Sequence, residues 1–407
     1  MRVEPQGSRL ASTREVKITD DICPFCKGTR ITRLLGKRRT KLAYDLEFIR
    51  GGLRRRVIRC TALGHQCKDC QMTFIPRNHQ RRDKHLHGLK SWVMYQHIVH
   101  RASFGHVREM LVDFFGLRVD RAELHGIRAL MANRYRNACD RILARIAGGH
   151  VAHGDETEVD LVRSKGYVWV VANMEDVLYL YRPGREAGFL RDLLVDFNGV
   201  LVSDFYSGYD SLPCKQQKCL VHLIRDFNAD LMSSPYDEEF KALAAEFGRL
   251  LRCIVDTIDK HGLAKRHLRS HKPDVSRLFR DLEARVYRSE LAVAYQARFA
   301  RTEGKLFTFL DYDGIPWNNN PAEHAVKAFA SYRRLYDGML SEQGLADYLV
   351  LLSVEQTCKY RGVSFLNFLL SQEEDVDAFC RRRRKKNPRP TLEVYPEDFS
   401  RTHFKPR

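Results

Sequence analysis

The stretch Val151-Ala-His-Gly-Asp-Glu-Thr-Glu-Val-Asp160 opens the part of the chain that decides the fold. Two further stretches with strand character follow, Gly166 to Asn173 and Val177 to Arg182, with turn signals between them. Arg185 to Asp196 has a helical pattern, and Gly199 to Asp204 is a compact apolar strand. The predicted order of three strands, a helix and a fourth strand indicates an α/β fold with a mixed sheet.

Three carboxylates occupy distinctive positions in this region. Asp155 lies in the first strand, Asp204 ends the fourth strand, and Glu323 opens a helix. Ribonuclease-H-like nucleases and transposases use two strand carboxylates and one helix carboxylate to hold two divalent cations against a scissile phosphate. The strand order matches the opening of that fold. Its first and fourth strands lie side by side, which would bring Asp155 and Asp204 together.

Each carboxylate also has a plainer interpretation. Strand alternation puts Asp155 and Glu156 on opposite faces, and the residues alone do not decide which of them lines a site. Asp204 could simply end a strand. In the helix, Asn320 is a predicted N-cap and Pro321 a predicted first residue, so Glu323 could act only as a cap.

The charge of the chain is unevenly distributed. Residues 1–150 contain 31 Lys and Arg against 13 Asp and Glu, residues 151–380 contain 28 against 35, and residues 381–407 contain 10 against 3. The positive excess therefore lies in the two flanks, and the region with the three carboxylates is acidic. This segregation predicts flanking segments that bind a polyanion, with phosphate contacts from the basic tail.

Four cysteines near the amino terminus form two C-x2-C pairs, Cys23 with Cys26 and Cys67 with Cys70. Two such pairs can supply the four thiolates of a structural zinc site. Cys60 and His65 are competing ligands, and the stretch from Thr61 to Gln66 looks like an insertion. Between the pairs, 41–49 and 53–59 are predicted to form a β-ribbon that turns at Gly51-Gly52.

The region from Gly88 to Tyr135 has helical periodicity, with a break at Phe115-Gly116-Leu117. Asp120 and Glu123 are a capping pair for the helix after the break. The arrangement predicts a helix-turn-helix whose second helix enters a DNA major groove. Its candidate contacts are Arg121, His125 and Arg128.

The order and the amino-acid sequences of these segments resemble those of the bacterial DDE transposases of the insertion-sequence-sixty-six type. With gaps, the resemblance runs from Cys23 to about Leu370. Its matching stretches are Asp155-Glu-Thr157, Ser203-Asp204 with Gly208-Tyr209, Cys219-Leu-Val-His222, Asn318-Asn-Asn-Pro-Ala-Glu323, Tyr332-Arg-Arg334 and Cys358-Lys-Tyr-Arg-Gly-Val363.

The resemblance implies roles for particular residues. Asp155, Asp204 and Glu323 would be the catalytic residues and the ligands of two Mg²⁺ or Mn²⁺ ions. His222 would lie near the site or contact DNA, and the signature of the catalytic helix would add DNA contacts at Lys327, Arg333 and Arg334. Two positions depart from the family: Asn318 stands where many relatives have Asp, and His324 where they often have Arg.

The resemblance also implies the reaction and the partners. We expect cleavage of double-stranded DNA at transposon ends and strand transfer into target DNA, by a homo-oligomer with accessory proteins of the element. The alternatives are a catalytically inactive or domesticated DNA-binding protein, and a nuclease that cuts without joining. With no long apolar run in the sequence, no membrane is expected, and the expected location is the bacterial cytoplasm, associated with the nucleoid.

The expected domain organisation combines these predictions. A ribonuclease-H-like mixed-sheet core carries a helical insertion and is preceded by a zinc ribbon and a helix-turn-helix-like region. The ranges are an amino-terminal tail at 1–20, a zinc ribbon at 21–78, a DNA-binding domain at 85–148, a catalytic domain at 150–380 with its insertion at about 236–308, and a basic tail at 381–407.

Overall fold

A computed structural model describes residues 14–336 and 338–386. The tails expected at 1–20 and 381–407 lie largely outside the described residues. The strands are Arg14–Ile18 (β1), Ile31–Ile49 (β2), Gly52–Cys67 (β3), Thr73–Phe74 (β4), Val151–Asp160 (β5), Lys165–Ala172 (β6), Val177–Arg182 (β7), Val200–Ser203 (β8) and Lys215–Lys218 (β9).

Helices make up most of the remaining described structure. They are Arg77–Gln80 (α1), His87–Ile98 (α2), Phe104–Phe115 (α3), Arg121–Ala147 (α4), Phe189–Leu193 (α5), Leu220–Ser233 (α6), Glu238–His261 (α7), Lys265–Leu268 (α8), Lys272–Ala284 (α9), Glu290–Leu306 (α10), Asn320–Tyr336 (α11), Glu342–Tyr360 (α12), Phe365–Ser371 (α13) and Val376–Lys386 (α14). The described residues include no helix that is long and apolar enough to cross a membrane.

The amino-terminal sheet is built on a long β-ribbon. β2 and β3 pair antiparallel from Ile49 and Gly52 outward, which confirms the predicted turn. The ribbon is longer than predicted, and the supposed insertion at 61–66 is an integral part of β3, paired with β2. The irregularity of the ribbon falls in β2, as a register shift between Leu34 and Arg38.

The second sheet has the order β7-β6-β5-β8-β9. β5, β6 and β7 are antiparallel neighbours, whereas β8 runs parallel to β5 and β9 parallel to β8. The predicted pairing of the first and fourth strands of this region is thus confirmed, with Val151 opposite Val200 and His153 opposite Val202. The predicted helix at 185–196 is shorter than expected, since only Phe189–Leu193 is helical.

Helices cover both faces of this sheet. Val168, Val170 and Tyr179 belong to one face and pack into a cluster with α11, α12 and α13. Trp169 and Leu178 belong to the other face and pack with α5 and the end of α4. The alternation along β6 therefore buries both faces, as in a three-layer α/β arrangement.

The helices α2, α3 and α4 precede the sheet, and the predicted break near Gly116 is confirmed. Gly116 ends α3 in a left-handed conformation, with φ 60°. A second interruption at 99–103 was not predicted. The capping pair is present, because the Glu123 carboxylate accepts from the Asp120 backbone N–H. These helices share one apolar cluster with the sheet, so the core is continuous across the predicted boundary near 148–150.

The segment at about 236–308, predicted as a helical insertion, contains the helices α7 to α10. Phe240, Phe247 and Phe299 pack with α6 and with Val200 and Val202 of β8 in an apolar cluster of their own. The insertion is therefore packed against the strand that carries Asp204 at its end.

Candidate functional site

The four cysteines of the two C-x2-C pairs lie together at one end of the ribbon. The sulfur atoms of Cys23 and Cys70 are 3.6 Å apart, and those of Cys26 and Cys67 are 3.5 Å apart. All four sulfurs lie within 4.8 Å of one another. Thiolates bound tetrahedrally to zinc at the usual bond length are separated by about 3.8 Å, so this cluster could bind a structural zinc ion.

The competing ligands Cys60 and His65 lie elsewhere. Cys60 is fully buried in a small apolar cluster with Ala43 and Ile58. The His65 ring stacks on Phe74, with ring centroids 5.5 Å apart. Neither side chain belongs to the four-cysteine cluster in the described part of the chain.

The helix-turn-helix contacts are only partly available at the surface. Arg121 and His125 are exposed on α4. Arg128 is only 7% exposed, and its guanidinium lies over the Phe104 ring, 5.5 Å from the centroid. The prediction of Arg128 as a groove contact is wrong for this conformation, because the side chain packs between helices of the core.

Asp155 and Asp204 lie on neighbouring strands. The paired register of β5 and β8 ends at His153 and Val202, and two more residues along each strand lead to Asp155 and Asp204. The backbone at Gly154, the residue before Asp155, packs closely against the Tyr209 ring. A Cβ at Gly154 would lie 2.9 Å from that ring, so only glycine fits there. The backbone therefore brings the two carboxylates together beside the end of β8.

The neighbouring carboxylate Glu156 points to the opposite face of the sheet. Its Oε1 lies 2.8 Å from Arg185 Nη2, and its Oε2 accepts a hydrogen bond of 2.7 Å from the Tyr209 hydroxyl. Asp155 forms no ion pair among the described residues and accepts a hydrogen bond from the Glu156 backbone N–H. The two carboxylates thus differ in their partners: Glu156 is bonded to Arg185 and Tyr209, whereas Asp155 has no basic partner among the described residues.

Glu323 reaches the same region from α11. The helix begins at Asn320, and the Asn319 carbonyl accepts from the Glu323 N–H, so Asn320 is the first helical residue and not the predicted N-cap. Asn319 is fully buried, and its amide donates to the Gly154 carbonyl at 2.8 Å. Its Oδ1 lies 3.1 Å from His153 Nδ1. These bonds hold the start of α11 against β5, next to Asp155.

The surroundings of Asp155 favour its protonated form. Burial raises the pKa of Asp155 to about 7, with further contributions from the charges of Asp204, Glu156 and Glu323. Burial and the repulsion of neighbouring carboxylates both disfavour the ionised form. A bound divalent cation would reverse this effect, because it favours the ionised carboxylates.

Basic side chains surround Glu323. Arg225 Nη2 lies 3.3 Å from Glu323 Oε2, and His222 Nδ1 lies 3.7 Å from Oε1. Lys327 is exposed, 3.9 Å from Oε2. His222 and Lys327 therefore both lie beside Glu323; the resemblance implies a place near the site or a DNA contact for His222, and a DNA contact for Lys327.

The two arginines further along α11 differ. Arg333 donates to the Thr157 hydroxyl at 2.7 Å and to the Glu158 carbonyl, so it fastens α11 to β5. Arg334 is exposed. Of the two, only Arg334 is free of such a contact with β5 in the described structure.

Sequence reasoning missed a group of basic residues beside Asp204. A cavity of about 470 Å³ is lined by Asp204, Lys218, Arg298 and Arg301, among others. Arg298 pairs with Asp226 at 2.7 Å and lies over the Phe205 ring. Arg301 is exposed. Helix α10 of the insertion supplies both arginines, and the sequence shows no local signal that α10 reaches this site.

Lys218 is the buried cation of this cavity. It is 1% exposed, and its Nζ lies 3.1 Å from Asp210 Oδ1 and 3.3 Å from Ser203 Oγ. Burial lowers its pKa, and the carboxylate of Asp210 opposes that shift. Its charge thus lies directly behind the strand end that carries Asp204.

The fold and the two sites define a class of mixed α/β proteins with a carboxylate cluster beside the end of a parallel strand and a separate four-cysteine cluster. Within that class, the chain belongs to the family described as Transposase IS66 family, whose profile matches residues 86–347. The predicted membership is confirmed.

Similar curated proteins come from Sinorhizobium fredii (strain NBRC 101917 / NGR234). Uncharacterized protein y4qI is 26% identical over 264 residues, which cover 56% of this chain and 48% of y4qI. Uncharacterized protein y4jD is 27% identical over 285 residues, which cover 61% of this chain and 54% of y4jD. The match to y4jO covers 33% of that protein, at 28% identity. The chain thus spans about half the length, or less, of these relatives.

Proposed function

We propose that this protein is a DDE transposase that cleaves DNA at transposon ends and transfers the strand into target DNA. Two features of the fold support the proposal: β5 and β8 are parallel neighbours whose register leads to Asp155 and Asp204, and the Asn319 amide bonds to Gly154 and holds the start of α11, which carries Glu323, against β5. Family membership supports the reaction class. The strand order and directions of the second sheet support a ribonuclease-H-like core.

The donor set fits hard divalent cations such as Mg²⁺ or Mn²⁺. The three proposed ligands are carboxylates, and the pKa of Asp155 is raised by burial and by like charges, which a cation would offset. When bound, two such ions would stabilise the attacking and leaving oxygens of an in-line displacement at phosphorus. The four-cysteine cluster fits zinc in a structural role.

The protein side chains would hold and orient the DNA. Lys327 is exposed beside Glu323 and Arg301 is exposed in the cavity with Asp204, while Arg334 is exposed further along α11, and all three suit contacts with phosphates. His222 lies 3.7 Å from Glu323 and would contact DNA beside the carboxylates, and Arg333 fixes the catalytic helix on β5. Arg121 on α4 and the β-ribbon formed by β2 and β3 would extend the contact to double-stranded DNA outside the site.

Domain boundaries and assembly belong to the same proposal. The zinc ribbon at 21–78 and the helical region at 85–148 would recognise the transposon ends, and 150–380 would catalyse the reaction with its insertion at about 236–308. A homo-oligomer on paired ends and accessory proteins of the element would complete the active assembly.

The test is cleavage and joining of labelled DNA that carries the ends of the encoding element, with Mg²⁺ or Mn²⁺. We expect Asp204→Ala to abolish both activities. Glu158→Gln is the matched control, because Glu158 is an exposed carboxylate on the opposite face of β5 from Asp155. Cleavage without joined product would favour the nuclease. Specific binding without cleavage, with accessory proteins supplied, would favour the inactive DNA-binding protein.

A further inference from the structure

A second cluster of metal-ligand side chains adjoins Glu323. The ligand atoms of Cys219, His222 and Glu323 all lie within 4.8 Å of one another. Cys219 precedes α6, His222 lies in the first turn of that helix, and Glu323 lies in the first turn of α11. Thiolate, imidazole and carboxylate together are a donor set typical of zinc, and a thiolate is a poor ligand for Mg²⁺.

Two buried atoms of this cluster lack hydrogen-bond partners. His222 Nδ1 and Glu323 Oε1 are both shielded from solvent, and neither has a partner within the described residues. They are 3.7 Å apart, which is too long for a hydrogen bond. Nitrogen and oxygen ligands of one tetrahedral zinc ion are about 3.3 Å apart, so a small shift would let both bind the same ion.

The backbone fixes the third ligand. Cys219 is fully buried, and its sulfur accepts a hydrogen bond of 3.2 Å from the Asn319 N–H. In the same segment, the Leu220 N–H donates to the Trp317 carbonyl at 2.9 Å. These bonds tie the beginning of α6 to the segment that leads into α11. The three ligands are therefore held by two helix starts that are bonded to each other.

We propose that Cys219, His222 and Glu323 form a zinc site, distinct from the four-cysteine cluster, with its remaining position open to water. This zinc site does not depend on the proposed function. One consequence does rest on that function: zinc bound here would occupy Glu323 and compete with the hard cations that use this carboxylate. Zinc at this site would thus restrain DNA cleavage.

The test counts zinc in the full-length protein, loaded with ZnSO₄ and freed of loosely bound metal by gel filtration. We expect about two zinc ions per chain in the wild type and about one in Cys219→Ser and in His222→Ala. Cys214→Ser is the matched control and should retain two, because this half-buried thiol lies outside both clusters. His222 is 30% exposed, so His222→Ala gives the answer if Cys219→Ser fails to fold.

Equal zinc content in wild type, Cys219→Ser and His222→Ala would overturn the proposal. The count does not depend on DNA, so failure of the proposed transposase activity would leave it unchanged. The inhibitory consequence is tested separately, by titrating Zn²⁺ into a Mg²⁺-dependent cleavage reaction. Inhibition should need at least tenfold more zinc in His222→Ala than in wild type, and equal sensitivity would overturn that consequence.

Discussion

The side-chain amide of Asn319 donates a 2.8 Å hydrogen bond to the backbone carbonyl of Gly154, the residue that precedes Asp155. The oxygen of the same amide, Asn319 Oδ1, lies 3.1 Å from His153 Nδ1. Because an amide oxygen can only accept, His153 Nδ1 carries the ring proton and donates it to this bond. Burial lowers the pKa of His153 to about 4, and the bond to Asn319 opposes the shift. One buried amide therefore couples the strand of Asp155 to the helix of Glu323.

Replacing this amide is expected to destabilise the protein and misplace Glu323. Asn319→Ala leaves the Gly154 carbonyl and the His153 N–H buried without these partners, which should cost about 2 to 4 kcal/mol of unfolding free energy. Urea denaturation measures this loss. Asn318→Ala is the control, since Asn318 is half-buried and caps only the Asn320 N–H, at a cost of about 1 kcal/mol. Equal losses in the two variants would contradict the coupling.

Much of the sheet could be predicted from the sequence, because apolar alternation and turns mark β5 to β8. The fifth strand, β9, could not, because its sequence is Lys-Gln-Gln-Lys. Its polar side chains are buried by tertiary bonds: the Gln217 amide donates to the Leu306 carbonyl, and its oxygen accepts from the Phe309 N–H. Local pattern cannot show that partners from the insertion will satisfy these groups.

The candidate site could also be predicted only in part, because contacts from distant parts of the chain decide it. Alternation separated Asp155 from Glu156, but only the positions of Arg185 and Tyr209 in the fold show which carboxylate is already paired. Arg128 failed as a surface residue because Phe104 and Gly344 approach it from other elements. In each case the deciding contact comes from a distant part of the chain.

The raised pKa of Asp155 predicts how stability depends on pH without Mg²⁺ or Mn²⁺. Its pKa rises from 3.8 to about 7 in the fold, so between these values the folded state binds more protons than the unfolded state. Stability from this group therefore falls as pH rises through that window. Asp155→Asn should be more stable than wild type by about 2 to 4 kcal/mol above pH 7, and the gain should vanish near pH 4.

Urea denaturation at several pH values checks this difference. Above pH 7 Mg²⁺ should stabilise the wild type, because protons no longer compete with the metal for the Asp155 carboxylate. It should leave the stability of Asp155→Asn unchanged, because that variant lacks this carboxylate. Glu158→Gln serves as the exposed control and should show neither effect. A pH-independent difference between Asp155→Asn and wild type would refute the assignment.

The four-cysteine cluster predicts which cysteines hold the ribbon zinc. Cys67→Ser should lose one zinc ion per chain, since a tetrahedral thiolate site loses affinity when one ligand is replaced. Cys60→Ser should retain it, because Cys60 is buried in an apolar cluster away from these sulfurs. Zinc analysis of the purified proteins measures both. Loss of zinc in Cys60→Ser would indicate that Cys60 is a zinc ligand after all.

Arg121 and Arg128 should behave differently although they lie on the same helix. Arg121→Ala should weaken DNA binding and lower the salt slope by about one unit, with little loss of stability, because the side chain is exposed. Arg128→Ala should instead cost about 1 to 3 kcal/mol of stability through lost packing on Phe104. Fluorescence anisotropy across a salt series and urea denaturation separate the two effects. If Arg128→Ala weakened DNA binding without loss of stability, Arg128 would instead be a DNA contact, as the sequence predicted.

Adjacent carboxylates on opposite faces of β5 allow the most direct test of the proposed active site. Mn²⁺-dependent cleavage of labelled transposon-end DNA should be abolished in Asp155→Asn. It should persist within about tenfold of wild type in Glu156→Gln, because Glu156 is held by Arg185 and Tyr209 on the other face. Cleavage that survives in Asp155→Asn, or that is lost only in Glu156→Gln, would contradict the account.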